Sequence, residues 1–262
     1  MKIKKYLKVW FLLTINVSQI AFLSRFGAIL FIFGKILRFS FFLIFLILLQ
    51  AKTQSIAGYS LWQIIFFFAT FNLVDTIPQF FWREVYRFRS YVISGNFDYF
   101  LTKPFSPLFR SLFGGSDILD IPMLFLSIIL IVISATKIGD ISVMGVLFYS
   151  ILIFNAYLIA LALHIITISV GVLTTEVDNT IMLYRDLTQM GRIPVDIYRR
   201  PLSWILTFMI PVAIMMTFPA KVLMGLLSWQ WIIFAFLISG VLLLLSLKFW
   251  QFALKNYSSV SS

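Results

Sequence analysis

The chain has 262 residues, of which 61% are hydrophobic and only 12% are Asp, Glu, Lys or Arg. The charged fraction is about half that of an ordinary soluble domain, which excludes a water-soluble surface of the usual kind. The formal net charge is +11, but the basic residues lie beside apolar runs, so we interpret them as topology signals facing anionic lipid and expect no nucleic-acid partner.

The N-terminal segment, residues 1–25, is predicted to form an interfacial helix on the cytoplasmic face. Residues 9–23 are largely apolar but contain four polar side chains, and the stretch is short for a membrane crossing. Four lysines precede it, and no small-residue cleavage site follows it, so we expect no cleaved signal peptide and a mature start at Met1.

Six apolar runs follow, and a helix needs about 20 residues to cross a bilayer. The predicted spans are 27–50, 56–80, 118–135, 141–173, 202–218 and 229–247. The fourth would be on the order of 50 Å long as a continuous helix, so we expect it to tilt, bend or project from the bilayer. No internal repeat or flexible linker divides the chain, which predicts one domain, 1–262.

The distribution of Lys and Arg orients these spans. With both termini in the cytoplasm, sixteen of the 21 basic residues lie inside and three lie outside. This bias is what the positive-inside rule predicts. The expected cytoplasmic parts are the interfacial helix 1–25, a loop 81–117, a segment 174–201 and a tail 248–262.

Two basic residues, Lys35 and Arg38, lie one helical turn apart in the first predicted span. They fall in its cytoplasmic half, where long side chains reach the lipid headgroups while their stems stay in the apolar layer. We therefore interpret both as membrane anchors rather than as contacts for a transported molecule.

Two further polar residues are expected near the inner boundary of the membrane. Asp75 lies just before Pro78, which should kink or end the second span, and a contact with Arg83 or Arg87 would account for its charge. His164 is the only histidine, and its place in the fourth span favours packing or hydrogen bonding over proton transfer.

The third span is preceded by a polar turn. Ser116 is the expected N-cap, with Asp117 and Asp120 favourable in the first helical turn. A metal site formed by the two carboxylates is the alternative, but no histidine or further carboxylate lies nearby in the sequence. The capping interpretation is therefore preferred, and no metal or cofactor is expected in this chain.

The predicted loop 81–117 alternates basic and aromatic residues, a composition suited to a membrane interface or a protein groove. The alternating residues are Arg83, Tyr86, Arg87, Phe88, Arg89 and Tyr91. The Gly95–Asn96 pair predicts a turn before a second short amphipathic piece, which Pro104 and Pro107 should end. We therefore expect a structured surface element rather than a flexible tether.

The motifs of several function classes are missing. No glycine-rich phosphate loop ending in Lys-Ser or Lys-Thr occurs, so the chain is not expected to bind ATP in that way by itself. A membrane enzyme acting on lipid would need clustered acid, base or metal-binding residues, and the chain has one histidine and no cysteine. A secondary transporter or channel usually shows deep ionisable residues in several spans or an inverted repeat.

Four segments, taken together and in order, resemble the permease subunits of bacterial type-2 ABC exporters, specifically a small six-span family. They are SGNFDYFLTKP at 94–104, GRIPVDIY at 191–198, PVAIMMTFPAKVLMG at 211–225 and FWQFALKNYSS at 249–259. The resemblance covers essentially the whole chain. It implies an all-α integral membrane fold of the type-2 ABC exporter kind, with six transmembrane helices preceded by an interfacial elbow helix.

The resemblance also implies a division of labour. A coupling helix in the loop 81–117 would dock a separate cytoplasmic ATPase dimer, which binds the ATP and Mg, and a second permease copy, identical or related, would complete the transporter in the bacterial inner membrane. The residues expected to carry coupling are Arg83, Glu84, Arg87, Arg89, Asn96, Asp98 and Tyr99. The expected function is ATP-driven transport, outward in direction, of a substrate that the sequence does not identify; the alternative is an ATP-independent secondary transporter or channel.

Overall fold

The computed structural model describes residues 2–53, 55–139 and 141–258. Within these ranges the chain forms helices and turns, with one isolated β-bridge between Ile56 and Tyr59. The expected all-helical membrane fold is therefore confirmed. Met1 and the last four residues of the predicted tail, 259–262, lie outside the described residues.

Twelve helices are used below, and short 3-10 turns connect several of them. In chain order they are α1 (Lys2–Leu23), α2 (Arg25–Thr53), α3 (Leu61–Trp82), α4 (Phe88–Ile93), α5 (Phe97–Thr102), α6 (Pro107–Leu112), α7 (Ile121–Ile138), α8 (Val143–Thr174), α9 (Val177–Gln189), α10 (Leu202–Met209), α11 (Ala213–Leu223) and α12 (Trp229–Lys255). Side-chain caps fix two of the starts: Ser60 forms a capping box with Gln63 at α3, and Ser142 accepts a hydrogen bond from the Gly145 amide at α8.

Six of the described helices are long and apolar enough to cross a membrane: α1, α2, α3, α7, α8 and α12. Five of them correspond to predicted spans. The sixth, α1, has the length for a crossing, but none of its most apolar window is buried against the rest of the chain. Its predicted interfacial position stays a prediction.

The predicted span 202–218 is not a single straight helix. It is replaced by α10 and α11, which are bent by 81° where they meet. Pro211 lies at the break, and Ile210 before it is extended, with φ of −124° and ψ of 95°. Proline supplies no amide hydrogen and disfavours helical geometry in the preceding residue, so an apolar run containing it breaks in two.

The segment 174–201, predicted to be cytoplasmic throughout, connects the two ends of the helix bundle. We name as the loop end the one where the loop 81–117 lies. At that end Asp178 accepts a 3.1 Å hydrogen bond from Arg89. At the opposite end Asp196 accepts hydrogen bonds from the Tyr59 hydroxyl at 2.8 Å and pairs with Lys221 at 2.7 Å.

Between these two contacts the segment passes the middle of the bundle. The Arg192 guanidinium lies over the rings of Phe42 in α2 and Phe71 in α3, at 5.1 and 5.7 Å from their centres. The chain from α9 to Asp196 therefore runs from the loop end of the bundle to the opposite end. The placement of all of 174–201 on the cytoplasmic side stays a prediction, and this path argues against it. Hydropathy does not mark this passage, because α9 mixes polar residues such as Arg185 and Asp186 with apolar ones such as Val177 and Ile181.

The core lies around α3 and α8, the most buried of the long helices. In α3, Phe66, Phe67 and Phe68 are almost completely buried. The α8–α12 contact includes a buried polar pair, in which the Ser239 hydroxyl donates a 2.5 Å hydrogen bond to the Asn155 side chain. Helices α3 and α8 thus form the rigid frame on which the loop and α9 are positioned.

Both ends of the described chain pack on the loop 81–117. The Lys5 ammonium donates to the Pro104 carbonyl at 2.6 Å, and the Tyr257 hydroxyl donates to Asp98 at 3.0 Å. Helix α1 also holds the end of the loop, since its Trp10 indole donates to the Ser116 hydroxyl at 3.2 Å. Both ends of the described chain therefore lie at the same end of the bundle.

Candidate coupling site

The loop 81–117, hereafter the coupling loop, is folded along its whole length. A 3-10 turn, Arg83–Arg87, continues from α3, and α4, α5 and α6 follow. The predicted turn before the second piece is present: Gly95 has a φ of 72°, a conformation that glycine adopts without strain. Helix α6, which Ser106 caps, was not predicted from the sequence.

Glu84 is the buried centre of the coupling loop, with 1% of its side chain exposed. Its carboxylate accepts hydrogen bonds from Arg110 at 2.6 Å and from the Tyr91 hydroxyl at 2.8 Å, and Arg87 lies 3.5 Å away. These contacts tie the first turn of the loop to α4 and α6. Gly114 packs against the carboxylate so closely that a Cβ there would lie 1.8 Å from Glu84 Cδ.

Arg83 faces the start of α7 rather than a partner surface. Its guanidinium lies 3.5 Å from Asp117 and 3.8 Å from Asp120. Asp120 is buried and also pairs with Lys35 of α2. The interpretation of Lys35 as a simple membrane anchor is therefore wrong, because its ammonium neutralises a buried carboxylate.

The turn before α7 is capped differently from the prediction. Asp117, not Ser116, is the capping residue, since its carboxylate accepts a 3.1 Å hydrogen bond from the Leu119 amide. Ser116 instead accepts from Trp10 and donates its amide to the Thr14 hydroxyl at 3.1 Å. Sequence spacing identified the polar turn but not which member caps it, because α1 competes for the serine.

Asp75 does not contact Arg83 or Arg87, so that prediction is wrong as well. Its carboxylate accepts a 2.8 Å hydrogen bond from Gln79, one turn further along α3. It lies in a cleft between α2, α3 and α9, together with Arg38 and Arg192. This cleft was not predicted, because Arg192 is about 120 residues away from Asp75 along the chain.

His164 is a packing residue, as predicted. Its Nδ1 lies 2.7 Å from the Ala160 carbonyl, and its ring is 5.3 Å from that of Trp82 and 4.8 Å from that of Tyr184. The histidine therefore joins α8 to the end of α3 and to α9. In the part of the chain that the structure describes, no three His, Asp or Glu side chains are grouped as a metal site would require.

The outer face of the coupling loop is formed by α4, α5 and the turn between them. Tyr99 is 64% exposed, and Ile93 and Leu101 are exposed as well. The opposite face of α5 is buried, with Phe97 against Trp250 and Tyr257 of the C-terminal region. The short helix is thus fixed to the bundle through Phe97, while Tyr99 is exposed.

The seven residues predicted to carry coupling fall into two groups. Four are at least half exposed or nearly so: Asn96 and Tyr99, and Arg87 and Arg89, which pair with Glu84 and Asp178. The other three are more buried and make contacts within the chain: Arg83, Glu84 and Asp98. Their role in binding an ATPase stays a prediction, but their position suits transmission of a movement rather than direct contact.

The coupling loop and the helices around it lie within a region matched by a known family. The family described as ABC-2 family transporter protein matches residues 35–261. The match begins inside α2 and includes the coupling loop, α9 and the bent pair α10–α11. No curated protein and no solved structure matches this chain.

Proposed function

Since this chain belongs to the ABC-2 family of transporter proteins and is a multi-pass membrane protein, we propose that it is the permease subunit of an ATP-driven exporter whose separate ATPase dimer docks on the coupling loop. The observation that carries the proposal is the outer face of α4 and α5. Ile93, Tyr99 and Leu101 are exposed apolar residues of these two helices, at the end of the bundle where both ends of the described chain lie. Exposed aromatic and aliphatic residues on a rigid element are typical of a protein-binding surface.

The contacts that α4, α5 and the preceding turn make with the bundle explain how docking could move the spans. Through Glu84 the loop is joined to the end of α3, through Arg89 and Asp178 to α9, and through Asp98 and Tyr257 to the C-terminal region after α12. A displacement of α5 by a closing ATPase dimer would therefore reach three helices at once. Because packed helices move as rigid bodies, the expected response is a rocking of the permease between inward-open and outward-open states.

The proposed orientation places the loop end in the cytoplasm of a bacterial inner-membrane protein. With the fifth crossing revised, Arg199 and Arg200 move to the opposite end, but the lysines of α1, the arginines of the coupling loop and the lysines near the C-terminus remain together. The positive-inside rule therefore still favours this orientation. A second permease copy, identical or related, is expected to enclose the path, and ATP and Mg bind to the ATPase.

One observation favours the alternative of ATP-independent transport. The cleft between α2, α3 and α9 brings Arg38, Asp75 and Arg192 together beside two helices, α2 and α3, that are long and apolar enough to cross a membrane. Ionisable groups on such helices are frequent in secondary transporters. The two functions differ in one measurable way. Substrate movement by the purified chain in vesicles without ATPase or ATP would support the alternative, whereas strict dependence on both supports the proposal.

Cross-linking tests the proposed docking. Because the chain has no cysteine, a single introduced cysteine is its only thiol. Tyr99→Cys is expected to cross-link to the partner ATPase when a short bifunctional thiol–amine reagent is added to the assembled complex. Trp229 is as exposed as Tyr99 but lies at the start of α12, at the end of the bundle opposite the coupling loop. Trp229→Cys is therefore the matched control and should not react with the ATPase. Absence of a Tyr99→Cys product in a complex that still hydrolyses ATP would place the docking surface elsewhere.

A further inference from the structure

A small polar cleft opens between α2, α3 and α9. Its volume is about 80 Å³, much less than the roughly 300–1,000 Å³ of a site for a whole drug-sized ligand. The charged residues that line it are Lys35, Arg38, Asp75, Asp120, Arg185 and Arg192. A cavity of this size suits a small anion or the headgroup of a larger molecule.

The cleft carries an excess of positive charge. Lys35 is paired with Asp120, but among the described residues no carboxylate oxygen lies within 4.0 Å of the guanidinium groups of Arg38, Arg185 or Arg192. Asp75 is the one remaining carboxylate of the cleft, and all three arginines act on it electrostatically. Every arginine of the coupling loop, by contrast, has a carboxylate partner.

Two of these guanidinium groups are held in place by neutral partners. Arg192 lies over the rings of Phe42 and Phe71, and the Arg38 guanidinium donates a 3.0 Å hydrogen bond to the Gln189 side chain. Arginines grouped in a cleft without carboxylate partners repel one another and raise the local concentration of counter-ions, so this arrangement favours an anionic ligand. The planar fork of arginine is suited to the oxygens of a phosphate group.

An apolar groove on α2 continues from the cleft. It is lined by Gly34, Leu37, Phe41, Phe42 and Phe45, together with Arg38 and Arg192. The cleft and the groove therefore share Arg38, Phe42 and Arg192. Phe41 and Phe45 are exposed on the outer surface of α2, where a hydrocarbon chain lying along the helix would cover them.

We propose that the cleft binds the phosphate headgroup of an anionic lipid from the surrounding bilayer, and that the groove on α2 holds one of its hydrocarbon chains. Charge complementarity selects the headgroup, and the continuity of the polar cleft with the apolar groove selects an amphiphile over a free anion. The site goes beyond the proposed function, because it requires neither the ATPase nor the coupling loop.

Binding is measured on the purified full-length chain in detergent, by native mass spectrometry and by titration. The probe is dioctanoyl phosphatidylglycerol. Two reference compounds separate the parts of the site: inorganic phosphate has the anion without the chain, and dioctanoylglycerol has the chains without the anion. We expect saturable binding of the phosphatidylglycerol and at least tenfold weaker binding of both references.

The double variant Arg38→Gln/Arg192→Gln should weaken phosphatidylglycerol binding by about tenfold or more, since each arginine is expected to supply a charge-assisted hydrogen bond. Arg199→Gln removes an exposed arginine outside the cleft and is the matched control. Arg192→Lys keeps the positive charge and should retain part of the affinity. Retained binding in this variant would show that the loss in the double variant does not come from misfolding. Phe41→Ala/Phe45→Ala should weaken binding of the lipid but not of inorganic phosphate.

Three results would overturn the proposal. The first is equal phosphatidylglycerol affinity in the double arginine variant and in Arg199→Gln. The second is inorganic phosphate binding as tightly as the lipid, which would make the cleft a site for a free anion. The third is equal binding of dioctanoylglycerol, which would show a nonspecific apolar surface.

Discussion

The Tyr59 hydroxyl donates a 2.8 Å hydrogen bond to the Asp196 carboxylate. Burial, together with this hydrogen bond and the charge of Asp196, raises the pKa of Tyr59 above its usual value, so the hydroxyl remains the donor. The contact joins the α2–α3 connection to the chain that follows α9. Because Asp178 at the start of α9 contacts Arg89 at the loop end, the pair shows that this part of the chain passes from one end of the bundle to the other.

Labelling of single cysteines tests this crossing. In the cysteine-free chain, Arg199→Cys should react with a membrane-impermeant maleimide from the same side as Ser228→Cys, and Thr102→Cys only from the opposite side. All three residues are exposed, so differences in reaction report sidedness rather than burial. Labelling of Arg199→Cys from the same side as Thr102→Cys would contradict this path and support the topology in which 174–201 stays on one side.

Loss of the Glu84 charge should destabilise the coupling loop. In Glu84→Gln the Arg110 and Arg87 guanidinium groups lose their shared counter-charge. Breaking a fully buried ion pair costs about 3–5 kcal/mol, and we expect on the order of 2–3 kcal/mol because Arg87 is half exposed. Thermal unfolding in detergent measures the effect, and Asp186→Asn, at an exposed carboxylate, is the control. Equal midpoints for the two variants would show that the cluster adds no stability.

Gly114 should tolerate no side chain. A Cβ at this position would lie 1.8 Å from Glu84 Cδ, and Glu84 cannot move away without breaking its contact with Arg110. Gly114→Ala is therefore expected to cost about 1–3 kcal/mol, as other overpacked sites do. Gly240→Ala in α12 meets no atom within 4 Å and should be neutral or slightly stabilising. An unchanged melting temperature in Gly114→Ala would contradict the tight contact.

Hydropathy located α2, α3, α7, α8 and α12 because each must present an apolar surface to lipid or to its neighbours over its whole length. It failed at α9, where polar residues are tolerated because the helix faces a polar cleft, with Arg185 and Gln189 among its lining residues. It failed again at 202–218, where the apolar run is real but Pro211 breaks the helix. A proline inside a run of only 17 residues was the available warning.

For the coupling loop, the sequence predicted the folded element and its turn at Gly95 but not the direction of its side chains. Helices of six residues, such as α4 and α5, contain fewer than two turns, so their periodicity does not identify a buried face. Glu84 lies inside because Arg110, 26 residues later, folds back onto it. Asp98 contacts Tyr257, so a charge reversal there would disturb the C-terminal region as well as any partner.

The most direct test of coupling is the co-purification of the partner ATPase with variants of the exposed apolar residues of α4 and α5. Truncation of a buried aromatic anchor costs about 2 kcal/mol or more in an interface. We therefore expect Ile93→Ala/Tyr99→Ala to lose most of the bound ATPase while it still inserts into the membrane and melts like the unmodified chain. Trp229→Ala, at an exposed aromatic residue of the opposite end, should retain it. Wild-type ATPase binding and ATP-dependent transport in the double variant would contradict docking on the coupling loop.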